Sequence, residues 1–135
     1  MFTIDEMGGI HVSRGDSIGL STQPFIETDD GIAAIPIEGD NCVIFTVKSR
    51  YSGRTIIKRI LTEEDVVDGA LSLQITTDET DIEPYGYEYS FMYVPDRNDQ
   101  TEAYTYAQGG FEIMPSVSKV EDLTSDTEDE SNGND

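Results

Sequence analysis

Short runs in which apolar and polar residues alternate constrain the fold of this chain more than any other feature. In residues 41–49, successive side chains of an extended strand point to opposite faces, so Val43, Phe45 and Val47 share one face. In residues 70–76, apolar residues alternate with Ser and Gln in the same way. This pattern is typical of antiparallel strands that have one face in the core and the other in water.

The apolar composition also favours strands. Ile and Val together number 22 against 5 Leu, and 13 Thr and 7 Tyr accompany them. Such β-branched and aromatic residues are enriched in strands, and turn residues separate the runs at intervals of roughly ten residues. The sequence therefore predicts an all-β fold, a single antiparallel β-sandwich of about seven strands. The predicted strands are residues 10–12, 17–21, 41–49, 55–60, 70–76, 85–94 and 103–114.

Local features add detail to this prediction. Gly109 and Gly110 indicate a β-bulge in the last strand, and residues 95–102 read as a hairpin loop. Residues 61–69 are the only helical candidate, with Thr62 as N-cap, and are too short to form more than a turn or two.

Four aromatic residues share one face of the strand at 85–94, which predicts a row of rings along one side. We expect these rings to be core residues, and a role as a ligand platform is the second interpretation. The row consists of Tyr87, Tyr89, Phe91 and Tyr93.

The charge of the chain limits its partners. It has 28 acidic and 8 basic residues, a formal net charge of -20 and a pI near 4.1. A nucleic-acid backbone would be repelled, so we expect no nucleic-acid partner. The amino terminus lacks a basic region before an apolar stretch, and no apolar run approaches membrane-spanning length, so we expect neither a signal peptide nor a membrane partner.

The last residues differ in composition from the rest of the chain. Residues 121–135 contain seven acids, no Lys or Arg, and Leu123 as their one sizeable apolar side chain. This composition predicts a disordered acidic tail. With a boundary near Pro115, the domains are a sandwich at 1–115 and a tail at 116–135.

No combination of residues predicts catalysis. The only histidine, His11, lies in a predicted strand near the start, and the sequence pairs no nucleophile with a base. Cys42 is more typical of an inert packing thiol than of a nucleophile. Oxygen-rich segments such as Asp29-Asp30-Gly31 match no calcium loop and favour turns. We therefore expect no catalytic residues, no cofactor, no metal site, and a protein that is not an enzyme.

Arg14-Gly15-Asp16 spells a tripeptide that integrins read in extracellular ligands. The structural alternative fits this chain better, since Gly15 permits a turn with positive φ, Asp16 can bond nearby amides and Arg14 can satisfy a carboxylate. We expect a corner that links two strands.

Short motifs follow one another along the chain in a distinctive order. They are Gly9-Ile10, Val12, Arg14 to Ser17, VIFTVKS, IIKRI, LSLQITTDET, PYGYEYSF and GGFEI. This order resembles the immunoglobulin-like domain at the amino end of tailed-phage baseplate upper proteins and related virion proteins, over nearly all of residues 1–115. In that family an Arg-Gly-Asp turn leads into the second strand, and an Asp-Thr turn precedes a Gly-x-Tyr-x-Tyr strand.

The matching turns here are Arg14 to Asp16, Asp78 with Thr80, and Gly86 with Tyr87. Glu79 separates the Asp from the Thr. The resemblance implies an Ig-like sandwich with a structural corner at Arg14, Gly15, Asp16, Gly86 and Tyr87, in which the Tyr87 hydroxyl bonds backward to the main chain.

The resemblance also implies a function. It indicates a non-enzymatic bacteriophage virion structural protein, a baseplate or tail attachment module, located in the virion and in the host cytoplasm during assembly. Its partners would be other virion proteins of the tail, baseplate, neck or head, or further copies of itself. Two alternatives stay open: a host-surface or carbohydrate-binding module using exposed Tyr104 and Tyr106, and an acidic inhibitor that mimics DNA.

Overall fold

The computed structural model of the chain describes residues 2–99 and 101–116, which are almost entirely β. These residues form eleven strands: β1 (Phe2–Ile4), β2 (Ile10–Ser13), β3 (Ile18–Thr22), β4 (Phe25–Thr28), β5 (Gly31–Ala34), β6 (Cys42–Ser49), β7 (Thr55–Leu61), β8 (Val66–Val67), β9 (Ala70–Ile75), β10 (Tyr87–Val94) and β11 (Tyr104–Met114). They also form a short helix, α1 (Thr77–Thr80). The all-β prediction is confirmed.

All seven predicted strands are present, with ends that differ by no more than two residues. The predicted number of strands is nevertheless wrong, because β1, β4, β5 and β8 were not expected. These four strands have only two to four residues each, which is too short for a period-two pattern to stand out. β11 ends one residue before Pro115, and the predicted tail beyond Ser116 lies outside the described residues.

The described strands pair into three sheets: six strands in the order β1-β2-β11-β10-β6-β7, three in the order β3-β9-β8, and the β4-β5 hairpin. The pairings are antiparallel except that β2 and β11 run parallel, so the expectation of a purely antiparallel sandwich is wrong at this pair. The reason is the path of the chain. After β2 it crosses through residues 14–17 to β3 in the other sheet, which leaves β2 beside the last strand.

The short helical segment expected within residues 61–69 is present as a single 3₁₀ turn, Glu63–Asp65, with Thr62 as its N-cap. The rest of the segment is extended: β8 pairs with the start of β9 across Asp68 and Gly69, both with positive φ. Two β-branched valines beside a tight turn favour the strand. In the part of the chain described here, no helix is long and apolar enough to cross a membrane.

The core lies between the two larger sheets, whose inner faces contribute to one apolar cluster. Phe45 on β6 and Phe111 on β11 are both fully buried. The rings of Phe45 and Phe91 lie 4.8 Å apart between centroids. The predicted aromatic row on β10 is buried along its whole length, so its assignment to the core is confirmed.

The bulge expected at Gly109 and Gly110 is wrong. Both residues pair in register with β10, and the register shift lies instead at Tyr106, between Ala107 and Thr105. Gly109 has a different role, since a Cβ there would come within 2.8 Å of the Gly8 carbonyl oxygen. Glycine at this position lets the turn between β1 and β2 lie close against β11.

The strand registers define two ends of the molecule. β6 begins where β7 and β10 end, and we call this the hairpin end because the β4-β5 hairpin precedes β6 there. At the opposite end, β6 leads into its turn toward β7 while β10 begins and β11 ends. We call this the corner end, because residues 14–17 follow the part of β2 that pairs with Met114.

We predict that Phe45→Ala lowers the free energy of unfolding by about 3–5 kcal/mol, because it empties a fully buried aromatic site. Thr46→Ala, on the opposite face of β6, should cost under about 1 kcal/mol. Urea unfolding followed by circular dichroism measures both values. If the two variants lose equal free energy of unfolding, Phe45 and Thr46 do not lie on opposite faces of β6 as described.

Candidate docking surfaces

The predicted corner residues Arg14, Gly15 and Asp16 form a tight turn between the two sheets. Gly15 has φ +86, and the Asp16 amide donates to the Ser13 carbonyl at 3.0 Å. The Arg14 Nε donates to the Asp81 carboxylate at 2.9 Å, the acid that follows α1. The arginine therefore connects this turn to the segment between β9 and β10.

Thr80 fixes the turn from the inside, and it is the one fully buried polar residue among those described. Its hydroxyl lies 2.7 Å from the Asp16 carbonyl and 3.3 Å from the Thr77 carbonyl. α1 itself is capped by Thr76 and Glu79, whose side chains each bond to the other's backbone amide. Glu79 also binds Arg59 on β7, so this one short helix holds both sheets at the corner end.

The Gly86-Tyr87 corner has the geometry that the resemblance implies. The Tyr87 hydroxyl donates to the Glu83 carbonyl, four residues back, at 2.8 Å. Gly86 has φ +78, and a Cβ there would meet the Tyr51 ring at 2.5 Å. The five corner residues thus lie at one end of the molecule and act in the structure of the fold.

We predict that Gly15→Ala destabilises the fold by about 1–2 kcal/mol, because an L-residue with a side chain is strained at positive φ. No atom lies within 4 Å of the added Cβ, so the backbone alone accounts for the cost. The control is Gly19→Ala in β3, where φ is not positive and the nearest atom is the end of the Gln74 side chain. If the melting temperature falls equally in both variants, this account of the turn is contradicted.

Tyr104 and Tyr106 are not exposed, and that prediction is wrong. Both are half-buried and pack against the core. The Tyr104 hydroxyl donates to the Phe25 carbonyl at 2.8 Å, and the Tyr106 hydroxyl lies 2.7 Å from the Thr22 hydroxyl. The register shift at Tyr106 explains this placement, since it changes the face to which β11 directs its side chains.

Burial raises the pKa of Tyr106 from its ordinary value near 10 to about 12. The neutral phenol is therefore favoured in the folded state. Its contribution to stability is fully present below pH 10 and is lost as the pH rises through 12.

We therefore predict that the stability of the wild-type protein falls between about pH 10 and 12, and that Tyr106→Phe makes this fall shallower, since phenylalanine cannot ionise. The midpoint of urea unfolding, measured at several pH values, reports the slope. The same alkaline slope in both proteins would contradict the burial of this hydroxyl.

The β4-β5 hairpin, residues 25–34, is the most exposed ordered element described, and we call it the hairpin arm. Every residue from Ile26 to Ala34 is exposed, and Ile26 and Ile32 are 48% and 72% exposed. Its two strands pair with no other described strand, so both edges present unpaired amides and carbonyls. The register places Ile26 and Ile32 on opposite faces of the arm.

The base of the hairpin arm is firmly attached to the sandwich. Tyr104 bonds to the Phe25 carbonyl, and the Phe25 ring meets the Tyr106 ring edge to face at 6.0 Å. The Ile35 amide donates to the Pro24 carbonyl at 2.9 Å. A two-stranded hairpin is marginal on its own in water, so these contacts let the arm project as an ordered element.

The loops at the hairpin end are strongly acidic. The connections 25–41, 62–69 and 95–103 contain one base, Arg97, whose guanidinium lies 3.0 Å from the Gly39 carbonyl. Their acids are Glu27, Asp29, Asp30, Glu38, Asp40, Glu63, Glu64, Asp65, Asp68, Asp96, Asp99 and Glu102. The hairpin arm therefore projects from a negatively charged surface.

Basic residues collect on β6, β7 and the turn between them. We call Lys48, Arg50, Arg54 and Lys58 the basic cluster. All four are exposed, and within residues 2–99 and 101–116 none of their side chains has a hydrogen bond or an ion pair. The remaining described cations, Arg14, Arg59 and Arg97, each lie within 4 Å of a carboxylate. The basic cluster and the hairpin arm are thus separate surfaces of opposite charge.

His11 forms a polar cluster with two carboxylates, an arrangement that the sequence did not predict. Its Nε2 lies 2.8 Å from Asp5 and its Nδ1 3.0 Å from Glu112. The hydrogen bond from His11 lowers the pKa of the Asp5 carboxyl. A shallow pocket beside it is lined by these residues with Met7, Gly9, Arg50 and Gly110, none of which carries a hydroxyl or a thiol. The register of β2 against β11 places Glu112 beside His11, and the turn between β1 and β2 places Asp5 there.

The one thiol of the chain and its acidic side chains are the groups that could carry nucleophilic or metal chemistry. Cys42 is buried, and burial raises the pKa of its thiol, which lowers the thiolate fraction that a nucleophile needs. No cluster of three or more His, Cys, Asp or Glu side chains there is arranged to hold a metal ion.

Comparison with known proteins gives no match to any family model or to any curated protein.

Proposed function

We propose that this protein is a non-enzymatic structural protein of a bacteriophage particle, a baseplate or tail attachment module that docks on a neighbouring virion protein. The observation that carries the proposal is the hairpin arm, an anchored element with two open edges and exposed isoleucines on both faces. Edges and apolar side chains of this kind serve protein association, by strand addition or by insertion into a groove. In the proposal, the protein acts in the virion, after assembly in the host cytoplasm.

Strand order supports an immunoglobulin-like assignment. In such sandwiches one sheet contains strands C, F and G, with C′ added beside C in variable-type domains, and the other contains B, E and D. Here β6, β10, β11 and β7 match C, F, G and C′, while β3, β9 and β8 match B, E and D. The bond from Tyr87 to the Glu83 carbonyl is the kind of tyrosine corner found in this fold.

In this assignment the hairpin arm lies in the B–C connection, at the end where variable domains carry their binding loops. The F–G loop meets the B–C connection there, because the Arg97 amide donates to the Asp40 carbonyl at 2.9 Å. The surrounding acids favour a neighbour whose contact surface is basic. The expected neighbour is therefore a virion protein with an apolar groove or open strand edge and a basic rim.

Both alternatives have less support. A carbohydrate-binding module would need free aromatic faces and hydroxyls, whereas the hydroxyls of Tyr104 and Tyr106 are bonded within the fold. A DNA mimic would need carboxylates spread like phosphates, and the basic cluster interrupts the acidic surface.

We predict that Ile32→Asp reduces recovery of the protein with washed virus particles by at least about tenfold. A buried unpaired carboxylate in the docked interface costs more than the roughly 1.4 kcal/mol that such a factor represents. The matched control is Met7→Asp, an apolar residue that is 86% exposed against 72% for Ile32, in the turn between β1 and β2. Sedimentation of particles followed by quantitative mass spectrometry measures recovery, and the melting temperatures of both variants should equal that of the wild type.

Two outcomes would contradict different parts of the proposal. If the wild type is present in washed particles and both variants are recovered equally, docking uses another surface. If the wild type is absent from washed particles and binds a host DNA-processing enzyme with an affinity that collapses at moderate salt, the DNA-mimic function replaces the structural one.

A further inference from the structure

The basic cluster is an anomaly in a chain with 28 acids and 8 bases. The described cations outside it have carboxylate partners, while Lys48, Arg50, Arg54 and Lys58 have none among residues 2–99 and 101–116. Register places Lys48 and Lys58 on the outer face of the six-stranded sheet, with the other two at the turn. Glu88 lies opposite Lys48 on β10, and Asp5 and Glu112 line a shallow pocket together with Arg50. Four cations against these three acids leave the cluster with a net positive charge.

The described chain ends close to this cluster. The Arg50 amide donates to the Gly86 carbonyl at 2.7 Å, and the Tyr85 amide donates to the Ile113 carbonyl at 2.8 Å. The end of β11 is therefore two strand spacings from the turn of the cluster, or roughly 10 Å. Both lie at the corner end of the molecule.

The segment that follows β11 has the complementary charge. Residues 121–135 contain seven acids and no base. Six residues, 115–120, precede them, and an extended chain covers up to about 3.5 Å per residue, or roughly 20 Å in all. The first acids, Glu121 and Asp122, can therefore reach every member of the cluster.

We propose that the acidic segment 121–135 docks on the basic cluster of the same chain. An outside polyanion would have to approach a protein of formal charge -20, whereas a tethered segment is present at an effective concentration of millimolar order. A second copy would have to bring its whole negative surface close to the first. The tethered segment therefore covers these cations.

Paramagnetic relaxation in the full-length protein tests this docking. The label is attached at Ser125→Cys in a Cys42→Ala background. At roughly 25 mM salt it should reduce the amide signal intensities of residues 48–58 by at least about half. This broadening should vanish near 0.5 M salt, because the Debye length there falls to a few ångströms. Replacing all four cations by Gln should abolish it at low salt. The uncharged control, Tyr51→Gln with Ile60→Gln, alters exposed residues of the same two-stranded region and should retain it.

Several outcomes would overturn the proposal. Salt-insensitive broadening would mean that the tether alone brings the label near, and broadening centred on another surface would assign another site. If the broadening appears only when isotope-labelled chains are mixed with separate spin-labelled chains, the occupant is a second copy of the protein. Amides of the cluster that shift only on addition of polyphosphate would assign it to an outside ligand. The salt series uses the unaltered cluster, so the test holds even if the four-Gln variant fails to fold.

Discussion

The structure depends most on the row of aromatic side chains that β10 buries between the sheets. Its rings supply a large share of the apolar surface of the core, and three of its members carry hydroxyls that would be costly to bury without partners. Each hydroxyl bonds to a different segment: Tyr87 to Glu83, Tyr89 to Gly8 and Tyr93 to Asn41. One strand thereby fixes the segment before it, the turn between β1 and β2, and the connection that leads from the hairpin arm into β6.

The two ends of the sandwich differ in chemistry because different polar networks close them. At the corner end, Thr80 and its neighbours join the sheets through half-buried hydrogen bonds and ion pairs. At the hairpin end, tyrosine hydroxyls hold the base of an element whose own side chains are exposed. The first arrangement stabilises the fold, and the second presents a surface.

Sequence periodicity predicted the long strands because their inner faces are buried, as Leu71, Leu73 and Ile75 on β9 illustrate. It failed for the hairpin arm, since a strand exposed on both faces has no reason to alternate. The exposure of Tyr104 and Tyr106 was misjudged because a register shift cannot be read from residue types. The contacts of His11 and Thr80 depend on residues distant in sequence, so only the folded chain reveals them.

The parallel pairing of β2 with β11 has a mechanical consequence. A pull applied in opposite directions at Ile10 and Met114 runs along two neighbouring strands that point the same way. The hydrogen bonds between them are then loaded together in shear, whereas an antiparallel hairpin pulled at its open end loses its bonds one at a time. Tension along this axis is therefore shared by the whole β2-β11 ladder.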